Sequence, residues 1–299
     1  MSVRLTSATV RAWLSQLDVF LFDCDGVLWR GGVGVPGVGA TISKLEDLGK
    51  RCYFVTNNST KTRAEYTRVL SEVAGIRASR DTVLSSAFAA GMYLREAGIR
   101  KKVYVIGSAG LVDELRDVAG VECIGDSDAG ADFSFGAVSP ATLDPDVEAV
   151  VIGFDARFSY AKLERAATYL RYAPKRVVFV ATNRDASYPD AHQLVPGGGA
   201  LVAALEVGSG RAPDVVAGKP SPHLISLVRA ATGLDPSRTC MVGDRLDTDI
   251  LFGNKGGFAA TLLVLTGVTT QAQLDALPAG DACTPSHYLD SLGDLQTWL

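Results

Sequence analysis

Short apolar runs rich in β-branched and aromatic residues alternate with stretches of helical period from one end of the chain to the other. The runs at 18–22, 51–56, 103–106, 149–152, 177–180, 215–217, 239–242 and 261–264 read as buried strands. Between them, Ile42, Leu45 and Leu48 share one helical face, as do Tyr66, Val69, Leu70 and Val73, and another helix is predicted over 85–96. Such alternation predicts an α/β fold with a doubly wound, Rossmann-like parallel sheet. Residues 101–212 form a second, smaller α/β unit, so the expected arrangement is a core built from 1–100 and 213–299 with 101–212 inserted. Glycine-rich 31–39 and the Gly/Asp/Ser-rich 125–146 read as loops, and there is no internal repeat.

Four segments that follow apolar runs carry distinct chemistry. Asp23-Cys24-Asp25-Gly26 places two carboxylates at a strand end, where their repulsion and desolvation call for a compensating charge. A hard divalent cation such as Mg²⁺ suits oxygen ligands of this kind. Thr56-Asn57-Asn58-Ser59 offers a hydroxyl, amides and turn N–H groups. Gly218-Lys219-Pro220-Ser221 adds a cation, and Gly243-Asp244-Arg245-Leu246-Asp247-Thr248-Asp249 adds a carboxylate cluster. Parallel strands point their carboxyl ends to one edge, which is expected to gather all four. Carboxylates for a metal, donors for an oxyanion and a lysine together are what phosphoryl transfer needs. Each segment alone is ordinary turn chemistry; the combination is not.

Composition narrows the class. Hydrophobic content of 47% and charge of 21% describe a globular chain with a sizeable core. A net charge of −4 argues against nucleic acid or an anionic membrane as partner. No apolar stretch reaches the length of a membrane span, and the Arg-containing start reads as a short amphipathic helix around Trp13 and Leu14. The five cysteines show no paired spacing, so a reducing, cytoplasmic setting is the expectation. Cys24 reads as a packed, inert thiol, and His192, His223 and His287 have no ligand spacing.

The four segments resemble the four motifs of the haloacid dehalogenase superfamily of phosphohydrolases, over nearly the whole chain. The likeness is greatest to its subgroup of phosphoglycolate, pyridoxal phosphate and p-nitrophenyl phosphatases. The resemblance implies that Asp23 is the nucleophile, forming an aspartyl-phosphate, and that Asp25 is the general acid and base. It implies Mg²⁺ held by Asp23, the Asp25 backbone carbonyl and Asp244, with Asp249 supporting from behind and no metal role for Asp247. Thr56, Asn57 and Lys219 are expected on the phosphoryl oxygens, with Asn58 ordering its loop. Residues 101–212 correspond to the subgroup's cap, through which its members often pair as homodimers.

Within the cap, Ala181-Thr182-Asn183-Arg184-Asp185-Ala186-Ser187-Tyr188-Pro189 resembles the substrate-specificity loop. Pyridoxal phosphate phosphatases carry histidine at the position of Tyr188 and phosphoglycolate phosphatases leucine, so this chain departs from both. Asn183 fits the phosphoglycolate type, which favours a small phosphorylated acid as substrate and leaves pyridoxal phosphate as an alternative. Pro196-Gly197-Gly198-Gly199 matches neither a P-loop nor a dinucleotide fingerprint and reads as a tight turn. A phosphoaspartate-bearing signalling module and a phosphotransferase are the competing functional readings.

Overall fold

The computed structural model of the protein describes residues 2–128, 138–173, 175–189 and 193–299. His192 and the middle of the predicted 125–146 loop lie outside these residues. The strands of the first half are β1 (Val3–Arg4), β2 (Val19–Phe22), β3 (Trp29–Arg30), β4 (Val33–Gly34), β5 (Arg51–Thr56), β6 (Val83–Ser85), β7 (Lys102–Ile106) and β8 (Glu122–Ile124). Those of the second half are β9 (Val147–Ile152), β10 (Val178–Ala181), β11 (Ser187–Pro189), β12 (Leu194–Pro196), β13 (Val215–Val216), β14 (Thr239–Gly243), β15 (Ala260–Val264) and β16 (His287–Leu289). The helices are α1 (Val10–Ser15), α2 (Val38–Asp47), α3 (Arg63–Ala74), α4 (Ser86–Glu96) and α5 (Ala109–Ala119), then α6 (Tyr160–Tyr172), α7 (Gly198–Ser209), α8 (Pro222–Thr232), α9 (Leu251–Lys255) and α10 (Gln271–Asp275).

A seven-stranded sheet runs in the order β1-β16-β15-β14-β2-β5-β6, parallel throughout. A second sheet, β13-β10-β9-β7-β8, is also parallel. The period of two along β2 explains its central place. Phe20 and Phe22 enter one apolar cluster, Val19 and Leu21 the other, and all four are buried. The cluster that takes Val19 and Leu21 continues through α4 and α5 to Val103, Val105 and Val151 of the second sheet. One continuous core therefore joins the two sheets, while Tyr104, Ile106, Val150 and Phe179 build a further core on the second sheet's other face.

Local signals start several helices. Thr62 and Glu65 form a reciprocal capping box at α3, and Ser85 and Ser221 cap α4 and α8 through their side chains. Two expectations are corrected. The 31–39 stretch contains the return strand of a hairpin, because Gly31 (φ 55°) and Gly32 (φ 79°) supply the left-handed pair that a two-residue turn between β3 and β4 requires. Val215–Val216, expected to resume the first sheet, pairs instead with Val180 and Ala181 at the edge of the second. Among the described residues no helix is long and apolar enough to cross a membrane.

Candidate active site

The ends of β2, β5 and β14 open onto one cavity of about 460 Å³, whose lining includes Asp23, Asp25, Asn57, Lys219, Asp244 and Tyr188. The β2–β14 pairing sets the two acidic segments side by side, and the Asp23 N–H continues the ladder to the Val242 carbonyl at 2.9 Å. Lys219 arrives differently: its segment leaves the edge of the second sheet after β13 and crosses to the first. The four motifs converge, but only three come from the sheet edge that was expected to gather them.

Glycines make room for the carboxylates. Gly26 turns the chain at φ 90°, and a Cβ there would stand 2.4 Å from Asp244 Oδ2. At Gly267 the same oxygen would be 1.9 Å away, so neither position admits a side chain while Asp244 points into the site.

Asp23, Asp244 and Asp249 each place an oxygen within 4.8 Å of the others, and all three are buried. The buried Lys219 ammonium faces them: it donates to Asp23 Oδ1 at 2.5 Å and to the Val55 carbonyl at 2.6 Å, and lies 2.8 Å from Asp249 Oδ1. Asp249 is further satisfied at Oδ2 by the backbone N–H groups of Asp244 and Arg245, each at 3.1 Å. Asp244 accepts from the Val268 N–H at 2.7 Å through Oδ2, while its buried Oδ1 has no hydrogen-bond partner.

The electrostatics follow from this imbalance. Burial pushes the Asp23 carboxyl up to about 8; the Lys219 charge opposes the rise, and Asp249 and Asp25 add to it. Burial, then the charges of Asp249 and Asp23, hold Asp244 well above the usual carboxylate range. Burial works against the Lys219 ammonium, but the charges of Asp23 and Asp249 outweigh it and raise its pKa. Among the described residues three buried carboxylates meet one ammonium, with Arg245 acting on Asp244 from farther off and Asp244 Oδ1 left without a partner, which fits a hard divalent cation bound by oxygen ligands.

Asp25 is half-buried beside this cluster; its Oδ1 accepts from Trp29 Nε1 at 2.9 Å and its Oδ2 from Asn58 Nδ2 at 3.4 Å. Thr56 Oγ1 accepts the Asn58 N–H at 3.1 Å, and Asn58 Oδ1 takes both donors of Thr60. Asn57 is expected on the phosphoryl oxygens; its side chain is engaged with Lys219 and Asp185. Its Oδ1 accepts the Lys219 N–H at 2.7 Å, and its Nδ2 donates to the Lys219 carbonyl at 3.1 Å and to Asp185 Oδ1 at 3.0 Å. Asn57 thus grips the lysine's backbone. Cys24 is fully buried, and burial pushes its thiol well above the ordinary value, as suits a packed, unreactive side chain.

The loop from Asn183 to Tyr188 borders the same cavity. Asn183 is also committed: its Nδ2 donates to the Asn57 carbonyl at 2.7 Å, and its Oδ1 accepts the Asp185 N–H at 3.1 Å. Tyr188 is 41% exposed and meets Phe154 edge-on, ring centroids 5.6 Å apart. The glycine run, expected as a tight turn, instead opens α7 and packs under the loop, where a Cβ at Gly197 would be 2.3 Å from the Asp185 carbonyl. Sequence reading missed Asp185 and Arg245. Burial raises the Asp185 carboxyl against the opposing influence of Arg245 and Asn57, and Arg245 Nη1 donates to the Ser187 carbonyl at 2.9 Å. Charged residues beside recognised motifs were the available signal for both.

A buried lysine braced between carboxylates, beside a donor-rich loop in an α/β fold, suits the handling of an anionic ester. Comparison with known proteins makes this specific. Residues 20–121 match the haloacid dehalogenase-like hydrolase family, and residues 216–295 match the HAD-hydrolase-like family. Glycerol-3-phosphate phosphatase of Gallus gallus is 42% identical over 98% of this chain and 95% of its own length. Phosphoglycolate phosphatase 2 of Arabidopsis thaliana is 40% identical over 97% of this chain and 96% of its own. The structure of a glycerol phosphate phosphatase from Mycobacterium tuberculosis in complex with magnesium superposes with a TM-score of 0.76 at 29% identity, over 94% of this chain and 76% of that one. The chain belongs to the haloacid dehalogenase-like hydrolase family. Within it, the chain is a phosphoric monoester hydrolase.

Proposed function

We propose that the protein is a Mg²⁺-dependent phosphatase of short phosphorylated acids and alcohols, of the phosphoglycolate or glycerol phosphate kind, working through an aspartyl-phosphate. The observation that carries this reading is the excess of buried carboxylate around Lys219, with Asp244 Oδ1 left without a partner. Asp23 and Asp244 would hold the cation together with the Asp25 backbone carbonyl, and Asp249 would brace Lys219 behind them. When bound, Mg²⁺ neutralises the charge that would keep an anionic nucleophile from an anionic ester.

The chain's own residues supply the remaining chemistry. An Asp23 carboxylate oxygen attacks phosphorus as the bond to the leaving oxygen breaks, and protonated Asp25 gives its proton to that oxygen. Asp25, now a carboxylate, takes a proton from water; the water oxygen attacks phosphorus and the Asp23–phosphorus bond breaks, releasing inorganic phosphate. Lys219 offsets charge on Asp23 and on the transferring oxygens. Thr56 and Asn57 would contribute through their place on the loop, Asn57 by fixing the Lys219 backbone.

The second sheet with its helices, from β7 to β13, would act as the cap, and Tyr188 with Phe154 would face the leaving group from it. Pairing of two copies through the cap is supported by the outer face of α7, where Ala200, Ala203 and Val207 are exposed. Sedimentation at several concentrations tests that pairing. The function is tested by release of p-nitrophenol from its phosphate ester with Mg²⁺ and again with excess chelator. Turnover that chelation stops is expected; no turnover, or turnover indifferent to chelation, contradicts the reading. The ratio of kcat/KM for phosphoglycolate over pyridoxal phosphate then ranks the substrates, and is expected to exceed one.

A further inference from the structure

The Tyr188 loop is held from its own side by the start of α7, where the Gly197 and Gly199 N–H groups donate to the Ala186 and Asp185 carbonyls. It belongs to the two-stranded ribbon of β11 and β12, and such a ribbon is marginally stable in isolation. Among the described residues three side-chain tethers tie it to the loops beyond the first sheet. Asn183 donates to the Asn57 carbonyl, Asp185 accepts from Asn57 beyond β5, and the Ser187 carbonyl accepts from Arg245 beyond β14. The Arg245 tether has a support of its own. Asp247 receives Arg245 Nε at 3.3 Å and Nη2 at 3.1 Å, leaving Nη1 to reach Ser187. Arg245 is anchored at its base as well, because its backbone N–H is bonded to Asp249. Its side chain is 15% exposed and that of Asp247 69% exposed, so the guanidinium is shielded and its holder lies at the rim.

We propose that Asp247, Arg245 and the Ser187 carbonyl form a clasp that fixes Tyr188 over the cavity, making Arg245 a specificity-positioning residue for the leaving group. The proposal rests on the phosphatase reading and assigns Asp247, which has no place in the metal cluster, a task. A planar guanidinium suits it, since its donors can serve the carboxylate and the carbonyl at once. A lysine ammonium in the same place would have to divide one point charge between them. Residue 188 neighbours the clasped carbonyl, so slack at Ser187 passes directly to the tyrosine ring.

The test uses the full chain with Mg²⁺ and compares kcat/KM for p-nitrophenyl phosphate and for phosphoglycolate in Arg245→Met, Tyr188→Ala and the double variant. Arg245→Met is expected to move the ratio by about tenfold, the worth of one hydrogen bond to a charged group. In the Tyr188→Ala background the same substitution should leave the ratio nearly still, because the clasp acts through the ring. Arg245→Lys should restore part of the ratio, and Asp247→Asn should shift it the same way by less. An unmoved ratio overturns the clasp. So does a shift undiminished without Tyr188, which would mean that Arg245 touches the substrate itself, or a matching change in half-saturating Mg²⁺, which would mean that it acts through Asp244. Amide exchange across 184–188 gives a readout independent of activity and should quicken in Arg245→Met. If the unaltered chain hydrolyses neither ester, the phosphatase reading falls, while unchanged exchange in the variant removes the clasp alone.

Discussion

Two seams join the sheets beside the cavity, and they are built from opposite chemistry. At the first, α4 packs on α5 within one apolar cluster that holds Ala87, Ala90, Leu94, Leu111 and Leu115. Gly110 lets α5 lie against the loop after β5, where a Cβ would be 2.4 Å from the Thr60 carbonyl. The buried Glu114 carboxylate receives the Arg63 backbone N–H at 2.7 Å and its Nε at 3.1 Å, and the Arg63 guanidinium lies 3.8 Å from the centre of the Phe88 ring. At the second seam there are single polar contacts: Asn57 to Asp185, Asn183 to the Asn57 carbonyl, and Arg245 to Ser187. The first seam is dry and multiply bonded, so parting it would expose apolar surface and strand a charge. In the second, the part-buried bonds of Asp185 to Asn57 and of Ser187 to Arg245 can exchange with water or ligand at smaller cost. The lesson is a division of labour: one seam sets where the second sheet sits, and the other adjusts what it presents to substrate.

That contrast can be broken at the first seam by Glu114→Ala. Removing one partner of a buried pair is expected to cost about 3 kcal/mol of stability, read by denaturant unfolding, with the preference between esters unchanged. A selectivity change as large as that at the second seam would erase the distinction. Asn57→Ala probes the second seam where it touches the machinery, because it frees the Lys219 backbone and Asp185 together. It should lower kcat by about a hundredfold through displacement of the lysine, with a smaller effect on KM. A loss in KM alone would put Asn57 back on the substrate.

The cavity between the seams sharpens the comparison through pH. An Asp23 carboxyl raised to about 8 keeps its proton at neutrality in the metal-free chain, so a cation must displace it. Half-saturating Mg²⁺, followed by thermal shift, should fall as pH climbs, by up to about tenfold per pH unit for each of Asp23 and Asp244 that gives its proton up to the metal. The sign for the metal-free chain is the opposite. A group whose folded pKa is raised contributes stability below its ordinary value of 3.8 that is lost as pH rises, for Asp23 toward about 8. Metal binding that is flat with pH would deny that these raised carboxyls are ligands.

Helix α4 of the first seam and much of the acidic cluster were legible in the sequence, because apolar period and strand-end motifs are local signals, whereas α5 and the Arg63–Glu114 pair were not. The aspartates at 23, 25, 244 and 249 and Lys219 were found in this way, and the structure brings them to one cavity. The second seam was not legible. Val215–Val216 has the same composition in either sheet, and only the pairing with β10 reveals where it lies. An amide's partner is not written in its neighbours, so the bonds of Asn57 to Lys219 and Asp185 and of Asn183 to the Asn57 carbonyl are visible only in the structure. Asp185 and Arg245 were passed over because each meets its partner across a long stretch of chain, 128 residues from Asn57 and 58 from Ser187. Polar contacts between distant segments leave no period behind them.

The central claim is that Asp23 carries the phosphoryl group and Asp25 moves the proton. Asp25→Asn with p-nitrophenyl phosphate tests it most directly, because p-nitrophenolate leaves without a proton while the attacking water still needs a base. Acid quench and peptide mapping of that variant should find phosphate accumulated on Asp23. Phosphate on another residue, or none while p-nitrophenol is still released in step with the enzyme, would contradict the account.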